Sequence, residues 1–405
     1  MGTPLDPLLS ELVNNRRTLI VVGPGGVGKT TTSAAVALMG ARMGLNVLVL
    51  TVDPAKRLAT SLGMGQLGNE EVRVDPALFA EANIELGAGA LHAMMLDTKT
   101  TFDEVIERHA PDAATRQRIY ENPFYQQAST ALAGSQEYMA MEKLFELRQD
   151  RDYDLIVLDT PPTSNALDFL SAPNRLEDFL DNGSLNMLLK GAQRVSGWGL
   201  GGLFKVNKLV LKGLDRFVGG DTFSGVLDFI QSLSSMYAGF KERAAKVKEL
   251  FRSEDVAFVL VTSTDAAAID ESVFFHKELR SNGMPFGAML VNRVREPWVA
   301  EEERVGLEEH LQALASDTDA LKLQDERDVK RVVSRAVDAL EKFEVLTKVD
   351  ADALADLGER LGNDASRVRT IRLFERDIHN LDGLAAFADV VFRGMDSERV
   401  PSQRR

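Results

Sequence analysis

The run Gly23-Pro24-Gly25-Gly26-Val27-Gly28-Lys29-Thr30 fits the pattern G-x-x-x-x-G-K-[ST]. Chemistry at such a loop is phosphate chemistry: backbone N–H groups cradle phosphates, the lysine supplies charge to the terminal ones, and the hydroxyl ligates Mg²⁺. Gly23, Gly25 and Gly28 also satisfy G-x-G-x-x-G, and Asp53 could pass for the ribose-binding acid of a dinucleotide fold. Lys29-Thr30 separates the two readings, because a dinucleotide pyrophosphate needs neither a cation nor a metal-binding hydroxyl there. Lys29, Thr30 and Thr31, with the loop from Gly23, are therefore the expected ATP-binding residues.

A phosphate loop hydrolyses nothing without a metal and a positioned water. Two acids at the ends of apolar runs supply candidates. Asp53 lies in Thr51-Val-Asp-Pro-Ala55 and Asp159 in Leu158-Asp-Thr-Pro-Pro-Thr163. If both runs are strands of a doubly wound sheet, their carboxyl ends gather on the ligand side and bring both acids to the loop. Asp159 after four apolar residues suits a water-mediated Mg²⁺ contact. The plainer alternatives are a turn-forming aspartate before Pro161-Pro162 and an Asp-Pro turn capping the next helix.

The elements that must position these residues are short buried runs separated by helical stretches. Strands are predicted at 18–22, 46–52, 91–97, 154–159, 256–263, 286–292 and 368–373, and Thr31 to Met43 reads as a helix. Near-continuous apolar strands alternating with helices predict an α/β fold, a doubly wound, mostly parallel sheet of the phosphate-loop NTPase kind. Helical insertions are expected at about 99–150, 165–252 and 298–365 of a single domain, with a tail at 396–405. In the last insertion Val329, Val332, Val333, Ala336, Val337 and Leu340 keep helical spacing among many charges, which predicts an amphipathic helix on the body. The loop does not recur, so one ATPase unit is expected.

Composition removes whole classes of function. The 405 residues contain no cysteine, which rules out disulfides, thiolate zinc sites, iron–sulfur clusters and cysteine nucleophiles. A net charge of −14 argues against a nucleic-acid partner. The first residues lack a signal-peptide pattern, Asp6 stands where a myristoylation signal needs Ser or Thr, and no apolar run approaches a membrane span. A cytoplasmic protein is expected, with a peripheral place at the inner membrane face as its closest approach to lipid.

Gly25-Gly-Val-Gly-Lys-Thr-Thr31, Asp53-Pro-Ala55 and Asp159-Thr-Pro-Pro-Thr163, in this order, resemble the arsenical-pump ATPase family. That family includes the ATPase that targets tail-anchored membrane proteins, and has cell-division and plasmid-partition ATPases as more distant relatives. Supporting matches are Ala133-Gly-Ser-Gln-Glu137, Leu290-Val-Asn-Arg-Val294 and Val368 to Phe392. The resemblance implies Mg²⁺-dependent ATP hydrolysis. Asp53 would activate or orient the attacking water, with Lys29 on the β- and γ-phosphates. Thr30 would hold the metal directly and Asp159 through water, and Thr160, Pro161, Pro162 and Thr163 would form a switch segment. Asn292 would contact adenine, with Leu373 and Phe374 closing over the base.

The resemblance breaks at Pro24, where the family carries a lysine that reaches the partner's phosphates across a dimer. A slow homodimer, or a heterodimer with a homologue that keeps the lysine, is the corresponding expectation. Arsenite handling is not expected without thiolates. Residues 165–252 contain the glycine-rich Ser196-Gly-Trp-Gly-Leu-Gly-Gly-Leu-Phe204, flanked by Lys190, Arg194, Lys205, Lys208, Lys212 and Arg216. This stretch reads either as a groove or flap for a hydrophobic client or an integral-membrane partner, or as a helical subdomain with solvated lysines. Three roles follow: targeting or chaperoning of hydrophobic segments, energising a membrane anion exporter, and spatial organisation on membrane or DNA.

Overall fold

Uninterrupted apolar runs become strands where both faces of a sheet are covered. The computed structural model describes residues 4–53, 57–122, 125–126, 135–161, 237–298, 306, 326–374 and 377–394. Among them one sheet forms from β1 (Thr18–Val22), β2 (Asn46–Thr51), β3 (Val72–Arg73), β4 (Ala90–Met95), β5 (Leu155–Asp159), β6 (Val256–Thr262), β7 (Phe286–Val294) and β8 (Val368–Arg372). The strand order is β3-β4-β2-β5-β1-β6-β7-β8, parallel throughout except for the β3–β4 pair. The α/β, mostly parallel sheet expected from the sequence is present.

Alternate residues of each central strand feed two separate cores. Ile20, Leu48, Leu50, Ile156 and Leu158 face one, while Leu19, Val21, Val47, Val49 and Val157 face the other. The second face is covered by α1 (Pro7–Asn15), α2 (Lys29–Arg42) and the final helix α8 (Leu381–Arg393). The first is covered by α3 (Thr98–His109), α4 (Ser135–Asp150), α5 (Tyr237–Arg252) and α6 (Ala266–Ser281). Local chemistry sets the helix starts: Asp6 and Asp97 accept from the N–H groups of Leu9 and Thr100, and Asn380 accepts from Gly383. Gly394, with φ of 58°, ends α8.

The charged stretch after 325 forms one long helix, α7 (Glu326–Leu361). Val329 and Val333 bury into a small cluster with Val337, Val332 is exposed, and Leu357 and Leu361 reach the main core. Asp350, buried on this helix, accepts from Thr264 Oγ1 (2.7 Å) and from the Arg295 N–H (2.8 Å). It thereby ties the helix to the carboxyl ends of β6 and β7.

Two features differ from the sequence reading. The two-residue, exposed strand β3 carries no apolar signal, and β7 continues past Asn292 to Val294 through a register shift against β8. Pro54 and Ala55, Ala133 and Gly134, Pro162 and Thr163, the insertion as far as 236, residues 299–305 and 307–325 and the 396–405 tail lie outside the described residues.

Candidate functional site

The strand register assembles the site. Asp159, the last residue of β5, lies level with Thr51 of β2 on one side and Val21 of β1 on the other. Both β2 and β5 end there, so the hydroxyl and the carboxylate meet at the carboxyl edge of the sheet, the ligand side of a doubly wound fold. The loop from Gly23 to Gly28 leaves β1 at the same edge and turns into α2 at Lys29.

Glycines set the loop's path. Gly28 has φ of 99°, and a Cβ there would come 2.6 Å from the Asn292 amide nitrogen. Gly23 has φ of 148°, and its Cβ would sit 2.0 Å from the Val261 carbonyl oxygen on β6. Gly25 and Gly26 form the exposed lip and Val27 is buried. Asn292 is buried, donates its Nδ2 to the Val27 carbonyl (2.8 Å) and accepts from the Arg293 N–H (2.9 Å). The residue expected to read adenine is therefore bonded to the loop backbone here. Arg293 has φ of 62°, the cost of turning the chain around that side chain.

Lys29 is buried and donates to the carbonyls of Gly23 (2.8 Å) and Pro24 (2.9 Å). Pro24 lacks an N–H, but its carbonyl is one of the two groups that hold the ammonium. Burial pulls the Lys29 ammonium below its ordinary range, opposed by Asp159, Glu271 and Asp53. Thr30 Oγ1 (2.7 Å) and Thr51 Oγ1 (2.8 Å) both donate to Asp159 Oδ2. Ser33, one helical turn beyond Lys29, donates to the Lys29 carbonyl (2.9 Å) and lies 3.4 Å from Asp159 Oδ1. Asp159 is fully buried, and burial raises its carboxyl to about 6 against the pull of these hydroxyls and of Lys29.

Asp53 follows β2 by two residues, half-buried, with its N–H on Thr51 Oγ1 (3.1 Å). Thr160 is anchored to the Val21 carbonyl through its hydroxyl (2.8 Å), and Pro161 is buried behind it. Leu373 and Phe374 follow β8. The Leu373 N–H bonds to the Val294 carbonyl (2.8 Å), and Phe374 packs edge-on against Phe387. Those two belong to the far end of the strand edge, and Thr31 is half-exposed on the first turn of α2.

The arrangement offers a buried cation, the N-terminus of a helix with no side-chain cap, and a hydroxyl–carboxylate pair in an all-oxygen environment. A helix N-terminus and a lysine suit phosphates, and oxygen donors suit a hard divalent cation. Among the described residues no cluster of three or more His, Asp or Glu side chains could hold a metal alone.

The family model described as anion-transporting ATPase matches residues 16–313, which takes in the loop, both acids and Asn292. The chain belongs to the anion-transporting ATPase family. Among curated relatives it is 25% identical to ATPase GET3 of Malassezia globosa over 72% of this chain and 77% of that one. It is 27% identical to ATPase get3 of Aspergillus terreus over 72% and 78% of the two chains. The match to ATPase get3 of Aspergillus niger is 26%, over 74% and 79%. The protein is an ATPase, and none of the helices among its described residues is long and apolar enough to cross a membrane.

Sequence reasoning missed three residues that the fold brings to this site. Thr51 and Ser33 are hydroxyl partners of Asp159, and Glu271 acts on Lys29 from α6. Thr51 lies in the predicted strand 46–52, two residues before Asp53, and Ser33 lies at i+4 from Lys29. Those two spacings were the available signals.

Proposed function

We propose that this ATPase is a Mg²⁺-dependent dimeric switch that couples ATP hydrolysis to the handling of hydrophobic membrane-protein segments. The observation that carries the nucleotide half is the convergence of Lys29, Thr30, Thr51 and Asp159 at one strand edge. The client half is supported by the curated relatives named ATPase GET3 and by the tail-anchored targeting branch that the sequence resembles.

In this reading Lys29 exchanges the carbonyls of Gly23 and Pro24 for the β- and γ-phosphate oxygens. Thr30, whose hydroxyl bonds Asp159 here, would hold a divalent cation directly, and Asp159, held by Thr51, would hold it through water. Such a cation would supply charge neutralisation at the phosphates. Asp53 orients the attacking water. Asn292 holds Val27 and so keeps the loop N–H groups aimed at the phosphates, with adenine recognition as its second role at the same edge.

The test is Asp53→Asn. Turnover is expected to fall by about 10²-fold or more, the usual range for a positioned base, with nucleotide affinity within a few fold. Turnover near that of the parent protein would remove Asp53 from the chemistry. Capture experiments with the same trapped variant test the client: membrane-segment proteins should be recovered with ATP and lost with ADP. Because Pro24 replaces the family's lysine, the homodimer is expected to turn over slowly, and brisk hydrolysis by the purified chain would sink the heterodimer version. Membership of the anion-transporting ATPase family keeps an exporter-energising role as the second reading. ATP turnover stimulated by a membrane exporter, without any client capture, would favour it.

A further inference from the structure

Thr51 closes β2 with a strand on either side. It lies level with Met95 of β4 and Asp159 of β5, its carbonyl accepts from the Leu96 N–H (2.8 Å), and it is 2% exposed. A β-branched side chain on a strand is also stiff at χ1, so its hydroxyl has a set direction. The register ends here. Val52 donates one more backbone bond to the Asp159 carbonyl (3.3 Å), and the Asp53 N–H then turns back to Thr51 Oγ1 (3.1 Å). The chain thus leaves the sheet at Asp53 through a side-chain bond of the Ser/Thr-turn kind.

The same hydroxyl serves Asp159, whose Oδ2 accepts from Thr51 Oγ1 (2.8 Å) as well as from Thr30 Oγ1 (2.7 Å). A hydroxyl has one proton and two lone pairs. Thr51 gives the proton to Asp159 and a lone pair to the Asp53 N–H, so the chain of bonds runs one way, from Asp53 through Thr51 to Asp159. A hydroxyl that donates to a carboxylate is polarised into a better acceptor, and each bond strengthens the other. The other two hydroxyls around Asp159 lack this second role. Thr30 sits at the start of α2, and Ser33 donates to the Lys29 carbonyl one turn back. Valine has nearly the shape of threonine and would make neither bond.

We propose that Thr51 is a positioning residue for hydrolysis: its hydroxyl sets the Asp53 backbone against Asp159, and with it the acid that orients the attacking water. The inference rests on the reading of Asp53 as that acid. A residue that acts through Asp53 contributes to the chemical step and leaves nucleotide affinity alone. Its loss is also a loss of geometry, and small misplacements of reacting groups have large effects on rate.

The experiment compares Thr51→Val and Thr51→Ser with the parent on the full chain. Hydrogen exchange at the Asp53 amide, read by NMR on protein carrying ¹⁵N-aspartate, should be about tenfold faster with valine and close to the parent with serine. Single-turnover ATP hydrolysis should fall about 10²-fold with valine, while dissociation constants for ATP and ADP stay within about threefold. Serine, which restores the hydroxyl, should recover most of the rate. If the valine variant does not fold, Thr51→Ala takes its place with the same expectations. An unchanged Asp53 amide, a rate within about twofold of the parent, or an equal loss of rate and of nucleotide affinity overturns the proposal. Asp53→Asn separates the two levels. If it leaves turnover near that of the parent, the reading of Asp53 itself fails. If it removes turnover while Thr51→Val alters neither the rate nor the Asp53 amide, only the role of Thr51 fails.

Discussion

Alanine at Gly28 would place a Cβ 2.6 Å from Asn292 Nδ2, on a backbone with φ of 99°. The left-handed backbone costs an alanine about 1–2 kcal/mol. Displacing the Asn292 amide leaves the Val27 carbonyl without its buried donor, about 1–3 kcal/mol more. Gly28→Ala should therefore cost about 2–5 kcal/mol. Asn292→Ala removes the same hydrogen bond and should cost about 1–3 kcal/mol alone. In the double variant that bond is lost only once and the clash is gone, so the total should stay near about 2–5 kcal/mol. The double-mutant cycle then shows a less-than-additive coupling of about 1–3 kcal/mol. Urea unfolding of the four nucleotide-free proteins measures it, and ADP affinity of the same set reports loop geometry. Additivity within about 0.5 kcal/mol would refute the idea that Asn292 braces the loop through Val27. A loss of affinity confined to adenine nucleotides and absent for GTP would assign Asn292 to the base instead.

Elsewhere, Arg243 and Glu142 form a buried pair (2.5 Å) between α5 and α4, with Tyr138 donating to the other Glu142 oxygen (2.9 Å). Arg243→Met should destabilise the protein by about 3–5 kcal/mol by stranding a buried carboxylate, and adding Glu142→Gln should recover most of that loss in chemical denaturation. Burial and the neighbouring Arg243 and Arg108 lower the His109 imidazole to about 4. It stays neutral in the folded state while the unfolded chain takes up a proton near its ordinary value. The stability this contributes is present above that value and is lost as pH falls towards 4. His109→Gln should flatten Tm between pH 6.5 and 4, and parallel curves for the two proteins would refute the assignment.

The strands were legible because a parallel sheet buries both faces, so each one reads as a solid apolar run. β3 was not, since two exposed residues pairing with an edge leave no such mark. The phosphate loop and both acids were legible because their chemistry demands particular residue types at fixed spacing. The partners of Asp159 were less so. Thr30 and Thr51 meet one carboxylate oxygen across sequence gaps of 129 and 108 residues, and only strand register decides that. Asn292 was recognised as a site residue, but its bond to Val27 follows from the path of the loop, which no spacing rule gives. Glu271 looks like any other acid on an amphipathic helix until its surroundings are known.

The order of the strands also sets when the site can exist. β1, which delivers the phosphate loop, pairs with β5 and β6, whose residues come more than a hundred positions later. During synthesis the loop is made early, yet strands flank β1 on both sides only once the chain has reached Thr262. Sheets built from such distant pairings fold slowly. A ligand that binds only the finished arrangement stabilises it by mass action. Nucleotide capture during refolding is therefore expected to report completion of the sheet's centre.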